Sequence, residues 1–204
     1  MQEGLPDSNA PPTPSIPETV NLSGKSWVSE FPTSKSLDDL DNNFKDAMQK
    51  FINALTEAGA NITINTTRRP KERAYLMHWS WKIVKENYDA SNIPAEPGVN
   101  INWWHEDQET SKSAAQEMVD GYGINNLGVA PSLTSRHIEG KAIDMSISWS
   151  GDIKIKKNDG SEETITTSPN DGTNSKLIEV GASYGVIHFK DVEKDKPHWS
   201  TDGR

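Results

Sequence analysis

The chain has 204 residues, a mean hydropathy of -0.74 and a formal net charge of -9. An acidic chain gains nothing from the phosphate backbone of nucleic acids and is a poor match for an anionic membrane surface, so we expect neither as a partner. The absence of cysteine excludes disulfides, thiolate metal sites and a thiol nucleophile. No apolar run is long enough to span a bilayer.

The first 24 residues are rich in proline and small polar residues, which is typical of an extended linker or tail. No basic residue precedes Lys25, and no apolar segment like the core of a signal peptide is visible. We therefore predict a tail over residues 1–24, suited to attachment to a larger fusion or delivery partner. Residues 25–204 are predicted to form one folded domain.

The folded part is predicted to start with a helix capped by Ser36 and running to about Ala58, since apolar residues recur on one face. A short strand with alternating polarity follows at residues 62–64. Pro70 can then open a second helix over about residues 71–87, because proline is tolerated in a first helical turn.

The second half of the chain mixes strands and helices. In chain order, the predicted elements are an irregular loop at 88–110, a helix at 111–120, a strand at 142–149, a hairpin at 152–167, a helix at 174–180 and a strand at 184–189. This order, without internal repeats, predicts an α+β fold in which a central antiparallel sheet is flanked by helices.

The most informative stretch runs from Ser135 to Asp144 and reads SRHIEGKAID. His137 lies at the end of a loop, and Asp144 follows in a strand whose opposite face is apolar. Gly140 allows a tight turn between them, so the two side chains can converge. A carboxylate on the polar face of an apolar strand needs a partner. A metal ion is one candidate, and a structural bond to His137 or Arg136 is the other.

A second histidine and another carboxylate occur near the end of the chain, in the segment Asp195-Lys196-Pro197-His198. Two histidines and one aspartate leave zinc a fourth position for water, which is the layout of a hydrolytic site. A carboxylate outside the ligand set can take a proton from that water, and Asp195 is the candidate. Its alternative role is that of a turn residue capping the bend at residues 194–197.

The pattern Ser-x-His-x-x-Gly-x-Ala-x-Asp, followed by acid-x-x-His-Trp, resembles the zinc D-Ala-D-Ala peptidases. These comprise VanY-type D,D-carboxypeptidases, vancomycin-resistance dipeptidases and related phage endolysins. The resemblance implies a Hedgehog/DD-peptidase-like fold and a Zn²⁺ ion held by His137, Asp144 and His198. It also implies Asp195 as the general base, a position at which members of the family carry Glu or Asp.

Residues 67–70, with the sequence TRRP, resemble the family's Tyr-Arg-Ser-Pro or Tyr-Arg-Pro segment, whose arginine contacts the substrate carbonyl. Spacing to the helix that follows favours Arg68 as the catalytic arginine. The pairing with proline favours Arg69, which we assign as a substrate contact. Ser135 and Arg136 are further predicted substrate contacts, because they adjoin the motif histidine.

The resemblance implies zinc-dependent hydrolysis of peptidoglycan stem peptides, of the D-Ala-D-Ala carboxypeptidase type, in the cell envelope (periplasmic or secreted). A peptidoglycan endopeptidase, such as a lysin or a secreted toxin, is the alternative. A carboxypeptidase needs a cationic pocket for the free carboxylate, whereas an endopeptidase needs an open groove. Outside enzymes, the alternative is a zinc-stabilised cell-wall binding module without turnover, since the Hedgehog signalling domain resembles these peptidases.

Overall fold

The computed structural model describes residues 21–204, so most of the predicted tail, residues 1–20, lies outside the described part of the chain. Residues 21–24, which composition assigns to the tail, pack on the domain. Leu22 forms a parallel bridge with Asn102, and Ser23 N donates to Asn102 O at 2.8 Å. The packed region therefore begins before residue 25. Within residues 21–204, no helix combines the length and apolar content needed to cross a membrane.

Residues 21–204 contain four α-helices and six β-strands. The helices are α1 (Asn42–Glu57), α2 (Lys71–Lys85), α3 (Gln108–Tyr122) and α4 (Ser175–Ser183). The strands are β1 (Asn61–Thr66), β2 (Ala142–Ser148), β3 (Ile153–Lys156), β4 (Glu162–Ile165), β5 (Ile187–His188) and β6 (His198–Ser200). Helices combined with antiparallel strands confirm the predicted α+β class.

Helix α1 begins later than the sequence predicts. Ser36 caps a short 3₁₀ turn, Leu37–Asp39, and the chain then becomes extended at Leu40. Asp41 caps α1 instead, and its carboxylate accepts bonds from two amides of the first turn. The predicted start at Ser36 is therefore wrong, because a second capping side chain follows the extended residue. The predicted apolar face is confirmed, since its buried members are Phe44, Met48, Phe51 and Leu55.

The main sheet has the strand order β1-β2-β6-β5, and each neighbouring pair is antiparallel. Helices α1 and α4 contribute to the core on one face. There Trp199 of β6 is fully buried against Phe51, with ring centroids 5.4 Å apart. Gly181 of α4 is required for this packing, because a Cβ at that position would lie 2.6 Å from the Trp199 ring. Since side chains alternate along a strand, His198 points to the opposite face.

Helices α2 and α3 pack on each other and anchor the segment between them. Trp103 Nε1 donates to the Tyr75 hydroxyl at 3.0 Å, and that hydroxyl donates to Pro94 O at 3.0 Å. Residues 88–110, predicted as an irregular loop, are thus tied to α2 by a buried aromatic pair. Helix α3 begins inside this segment, at Gln108.

The predicted hairpin at 152–167 is confirmed as a separate two-stranded sheet. Strands β3 and β4 pair from Ile153↔Ile165 to Lys156↔Glu162, and Gly160, with φ of +85°, lies in the turn. The predicted strand at 184–189 is reduced to two residues in β5, because its neighbour β6 is itself only three residues long.

Candidate metal centre

Three side chains converge on the open face of the main sheet. His137 Nε2 and His198 Nδ1 each lie 3.2 Å from Asp144 Oδ1, and the two nitrogens lie 3.2 Å from each other. Both histidines are buried, and the aspartate is partly buried. The three atoms thus form a nearly equilateral triangle, and the cluster can hold a metal ion.

Strand pairing and one glycine produce this convergence. Asp144 of β2 and His198 of β6 are direct partners across the sheet, so their side chains share a face. His137 reaches them from a loop that turns at Gly140, where φ is +70°. A Cβ on Gly140 would lie 3.0 Å from Asp41 N, so the turn also requires a close backbone approach that only glycine permits.

In each of the two histidine rings, the nitrogen that points away from the cluster (the outer nitrogen) faces a backbone carbonyl. His137 Nδ1 lies 2.7 Å from Thr67 O, and His198 Nε2 lies 3.1 Å from Arg204 O. Because a carbonyl only accepts hydrogen bonds, these two nitrogens carry the protons of the neutral rings. The inner nitrogens then present lone pairs to each other and to the Asp144 carboxylate. A proton on an inner nitrogen, donated to the carboxylate, or a metal ion placed among the three atoms relieves this repulsion.

The spacing of the three atoms suits zinc. Ligands bound at about 2.0–2.1 Å in a tetrahedron are separated by about 3.3 Å, which is close to the observed 3.2 Å edges. Two imidazoles and one carboxylate are ordinary zinc ligands, and they leave the fourth vertex open. The donor set and its geometry therefore fit a catalytic rather than a closed structural site.

Electrostatic interactions favour the ionised form of the Asp144 carboxyl group. Burial by itself would raise the pKa of Asp144, but hydrogen bonds and charge from His137 and His198 outweigh it and hold that pKa well below its usual range. Burial lowers the pKa of His198, whereas the bond to Asp144 raises it, and the net direction is upward. The carboxylate is thus anionic in the folded protein.

Asp195 lies beside this cluster. Its Oδ2 is 3.9 Å from His198 Nδ1, beyond the 3.2 Å spacing of the three clustered atoms. Within residues 21–204 its side chain makes no hydrogen bond, so it does not cap the bend at 194–197. Burial, together with the negative charge of Asp144, raises the pKa of Asp195. The structure thus holds a carboxylate with free acceptor atoms 3.9 Å from one of the clustered nitrogens.

The structure places Arg69, rather than Arg68, at this cluster. Arg68 is exposed and lines a cavity with Asp39 and Lys71, and none of the three clustered side chains lines that cavity. Arg69 is partly buried, and its Nε is buried without a hydrogen-bond partner in the described residues. Burial lowers the pKa of Arg69, and the charge of nearby Asp144 opposes that shift. The catalytic role assigned to Arg68 from sequence stays a prediction, and Arg69 is the arginine that the structure brings near Asp144.

Ser135 and Arg136 lie where the sequence predicts, next to the cluster. They line a cavity of about 350 Å³, and His198 forms part of its wall. Arg136 is held there by Asp202 and Glu139. Sequence reasoning missed Asp202, because a single acid four residues after the last motif histidine carries no recognisable pattern.

A turn after β6 positions the carbonyl that bonds His198. The buried hydroxyl of Ser200 accepts hydrogen bonds from Gly203 N at 2.9 Å and Arg204 N at 3.1 Å. Gly203 has φ of +72°, and a Cβ there would lie 2.8 Å from the carbonyl oxygen of His188. Ser200 therefore fixes the turn that brings Arg204 O to His198 Nε2.

We expect Ser200→Ala to weaken zinc binding by about 10–100-fold, the range found when an outer hydrogen-bonding partner of a metal ligand is lost. The exposed hydroxyl of Thr201 supplies a matched control, and Thr201→Ala is expected to keep wild-type affinity. Competition with a chelator of known affinity measures the effect. Ring ¹⁵N shifts of His198 in the metal-free protein report whether the Nε2–H tautomer is lost. Equal zinc affinity in the two variants would contradict this role.

Comparisons with known proteins give a likeness in structure and none in sequence. No family model matches the chain, and no curated protein sequence matches it. A solved structure that does match is a mutant of the vancomycin-resistance D,D-pentapeptidase VanY from a VanB-type resistance cassette, in complex with Zn(II). The two share 15% sequence identity over 80% of this chain and 74% of that chain, with a TM-score of 0.36. A likeness at this level assigns neither family nor activity to the present chain.

Proposed function

We propose that this protein is a zinc-dependent peptidase that hydrolyses peptide bonds in bacterial peptidoglycan stem peptides, of the D-Ala-D-Ala carboxypeptidase/endopeptidase type. The observation that carries the proposal is the triangle of His137 Nε2, Asp144 Oδ1 and His198 Nδ1, with 3.2 Å edges. The substrate class rests on the resemblance of Ser135–Asp144 and of residues 195–199 to the zinc D-Ala-D-Ala peptidases. The Hedgehog/DD-peptidase-like form of the fold belongs to the same proposal.

A zinc ion held there would supply a Lewis acid for the scissile carbonyl and would make water more acidic. Asp195 takes the proton of the attacking water, because its carboxylate is unengaged and lies beside the ligand set without being part of it. Its raised pKa brings it closer to that of an effective general base. The same carboxyl group then delivers the proton to the leaving amine.

Arg69 stabilises the carbonyl oxygen as negative charge develops on it. Its Nε has no partner in the described residues, and its backbone N donates to His137 O at 3.1 Å, which fixes it beside a metal ligand. A buried, unpaired donor interacts more strongly with a developing charge than one in water. Arg68 lacks this position because it points to a different cavity.

We expect Arg69→Ala to lower kcat by about a hundredfold or more, the usual effect of removing one oxyanion donor. Arg68→Ala provides the matched control and is expected to stay near wild type, since truncation of an exposed charge costs little. Steady-state kinetics on soluble peptidoglycan fragments, with zinc content verified for each variant, measure both. A large loss in Arg68→Ala with a silent Arg69→Ala would reverse the assignment.

Digestion of purified peptidoglycan tests the function directly. Zinc-loaded protein should release fragments with new amino and carboxyl termini, and removal of zinc by a chelator should stop the release. Mass spectrometry of the products identifies the bond. Stoichiometric zinc at the three ligands without any new termini would instead support a zinc-stabilised cell-wall binding module.

The proposed substrate places the activity in the bacterial cell envelope, in the periplasm or outside the cell. Residues 25–204 would form the peptidase domain, with residues 21–24 packed against it. Residues 1–20 lie outside the described part of the chain, and we propose that the segment 1–24 joins the domain to a fusion or delivery partner.

A further inference from the structure

The cavity beside His198 is the nearest space for the part of a peptide that follows the scissile bond. It has a volume of about 350 Å³ and is lined by Thr134, Ser135, Arg136, Glu139, His198 and Arg204. Asp195, the proposed donor to the leaving amine, lies 3.9 Å from the His198 ring. The leaving residue is therefore expected on the His198 side of the metal.

Arg136 is one of two arginines that line this cavity, and both hydrogen-bonding edges of its guanidinium group are occupied. Its Nε and Nη2 donate to the two carboxylate oxygens of Asp202, and its Nη1 donates to Glu139 at 2.8 Å. A carboxylate binds arginine best through two parallel bonds along one such edge. In the folded protein, Asp202 and Glu139 already fill these positions.

Arg204 is engaged by the same acid. Its Nε and Nη2 donate to Asp202 Oδ2 at 3.0 and 2.7 Å. Asp202 therefore pairs with both guanidinium groups of the cavity wall, and Asp202 and Glu139 together balance their two positive charges. Asp202 lies four residues beyond His198, its side chain is 29% exposed, and it contacts the two arginines without itself lining the cavity.

Another cavity is lined by residues that lie close in sequence to the cluster. This second cavity, of about 300 Å³, touches Ser146, two residues after Asp144, and Pro197, just before His198. Its one lysine, Lys196, pairs with Glu193 at 3.2 Å. Space beside His198 and next to neighbours of Asp144 and His198 suits a peptide that extends beyond the site.

We propose that Asp202 is a specificity-determining residue: by occupying Arg136 and Arg204, it makes the cavity beside His198 accept an uncharged continuation of the peptide and reject a terminal carboxylate. The enzyme then cuts internal bonds, as an endopeptidase, and does not trim the free end of a stem peptide. This inference rests on the proposed peptidase function and deepens it by naming the substrate class.

A matched pair of substrates tests the proposal. The peptide that the zinc-loaded protein cleaves is prepared with the residue after the scissile bond ending either in a free carboxylate or in an amide. Wild-type protein should favour the amide in kcat/KM by at least about tenfold, the order of one charge-assisted hydrogen bond. Asp202→Asn keeps the shape of the side chain, removes its charge and should shift the ratio toward the free acid by about tenfold. Asp152→Asn, an exposed acid at the start of the separate hairpin, makes the same change in net charge and should leave the ratio unaltered.

Any other result of this experiment would contradict either the role of Asp202 or the peptidase function itself. Wild-type protein that prefers the free acid, or an Asp202→Asn ratio that moves no further than that of Asp152→Asn, would overturn the role of Asp202 and leave the peptidase function standing. Zinc-loaded protein that cleaves neither form, nor whole peptidoglycan, would overturn both.

Discussion

Asp195→Asn should lower kcat by about a hundredfold to ten-thousandfold, the usual contribution of a general base, while zinc remains bound. The amide cannot accept the proton of the attacking water, so the chemical step fails. Zinc affinity should stay at the wild-type value because Asp195 lies outside the triangle of ligand atoms, 3.9 Å from His198 Nδ1. Turnover on peptidoglycan fragments and zinc content, measured on the same preparation, separate the two effects.

Asp191→Asn is the control for this experiment, since it makes the same chemical change in an exposed residue four positions earlier. It should retain wild-type kcat. Undiminished turnover by Asp195→Asn would remove this carboxylate from the mechanism, and joint loss of zinc and activity would make it a ligand.

His137→Ala should abolish both stoichiometric zinc binding and hydrolysis. The substitution removes one of the three ligand atoms and also the hydrogen bond from His137 Nδ1 to Thr67 O at 2.7 Å. A ligand that binds only the folded state raises the melting temperature, so wild-type protein should be stabilised by added zinc and the variant should not. Zinc content after dialysis and melting curves with and without zinc measure the loss.

The control for this variant is His78→Ala, because His78 bonds to the carbonyl of Pro131 and takes no part in the cluster. It should bind one zinc per chain and show the zinc-dependent rise in melting temperature. A His137→Ala protein that retains one zinc with wild-type affinity would disprove the metal centre as described.

The sequence predicted the class of the fold and, through the resemblance of residues 135–144 and 195–199 to the zinc D-Ala-D-Ala peptidases, the members of the cluster. Alternation of polar and apolar residues along residues 142–149 identified the face on which Asp144 lies, and Gly140 identified the turn that returns His137 to it. These are local properties, because periodicity and backbone freedom depend on neighbours within a few residues. The hairpin at 152–167 was predictable for the same reason, since its turn residues and its alternating strands are contiguous.

Contacts between segments that are distant in sequence decided which groups hydrogen-bond to the site residues from outside the cluster. The carbonyls of Thr67 and Arg204 fix the tautomers of the two histidines, and Asp202 occupies Arg136. A backbone carbonyl has no side-chain identity, so no pattern in the sequence marks it. The packing of residues 21–24 on Asn102 likewise depends on a segment about eighty residues away, which composition does not report.

The choice between Arg68 and Arg69 shows most clearly what could not be predicted from the sequence alone. Strand β1 pairs regularly with β2 up to Ile64, but its register shifts before Thr66, where one extra residue is inserted. Strand β1 ends at Thr66, so both arginines lie in the connection that follows it. Sequence spacing identified this pair of arginines. Only the tertiary structure, in which Arg69 N donates to His137 O, decided that Arg69 lies near Asp144 while Arg68 is exposed.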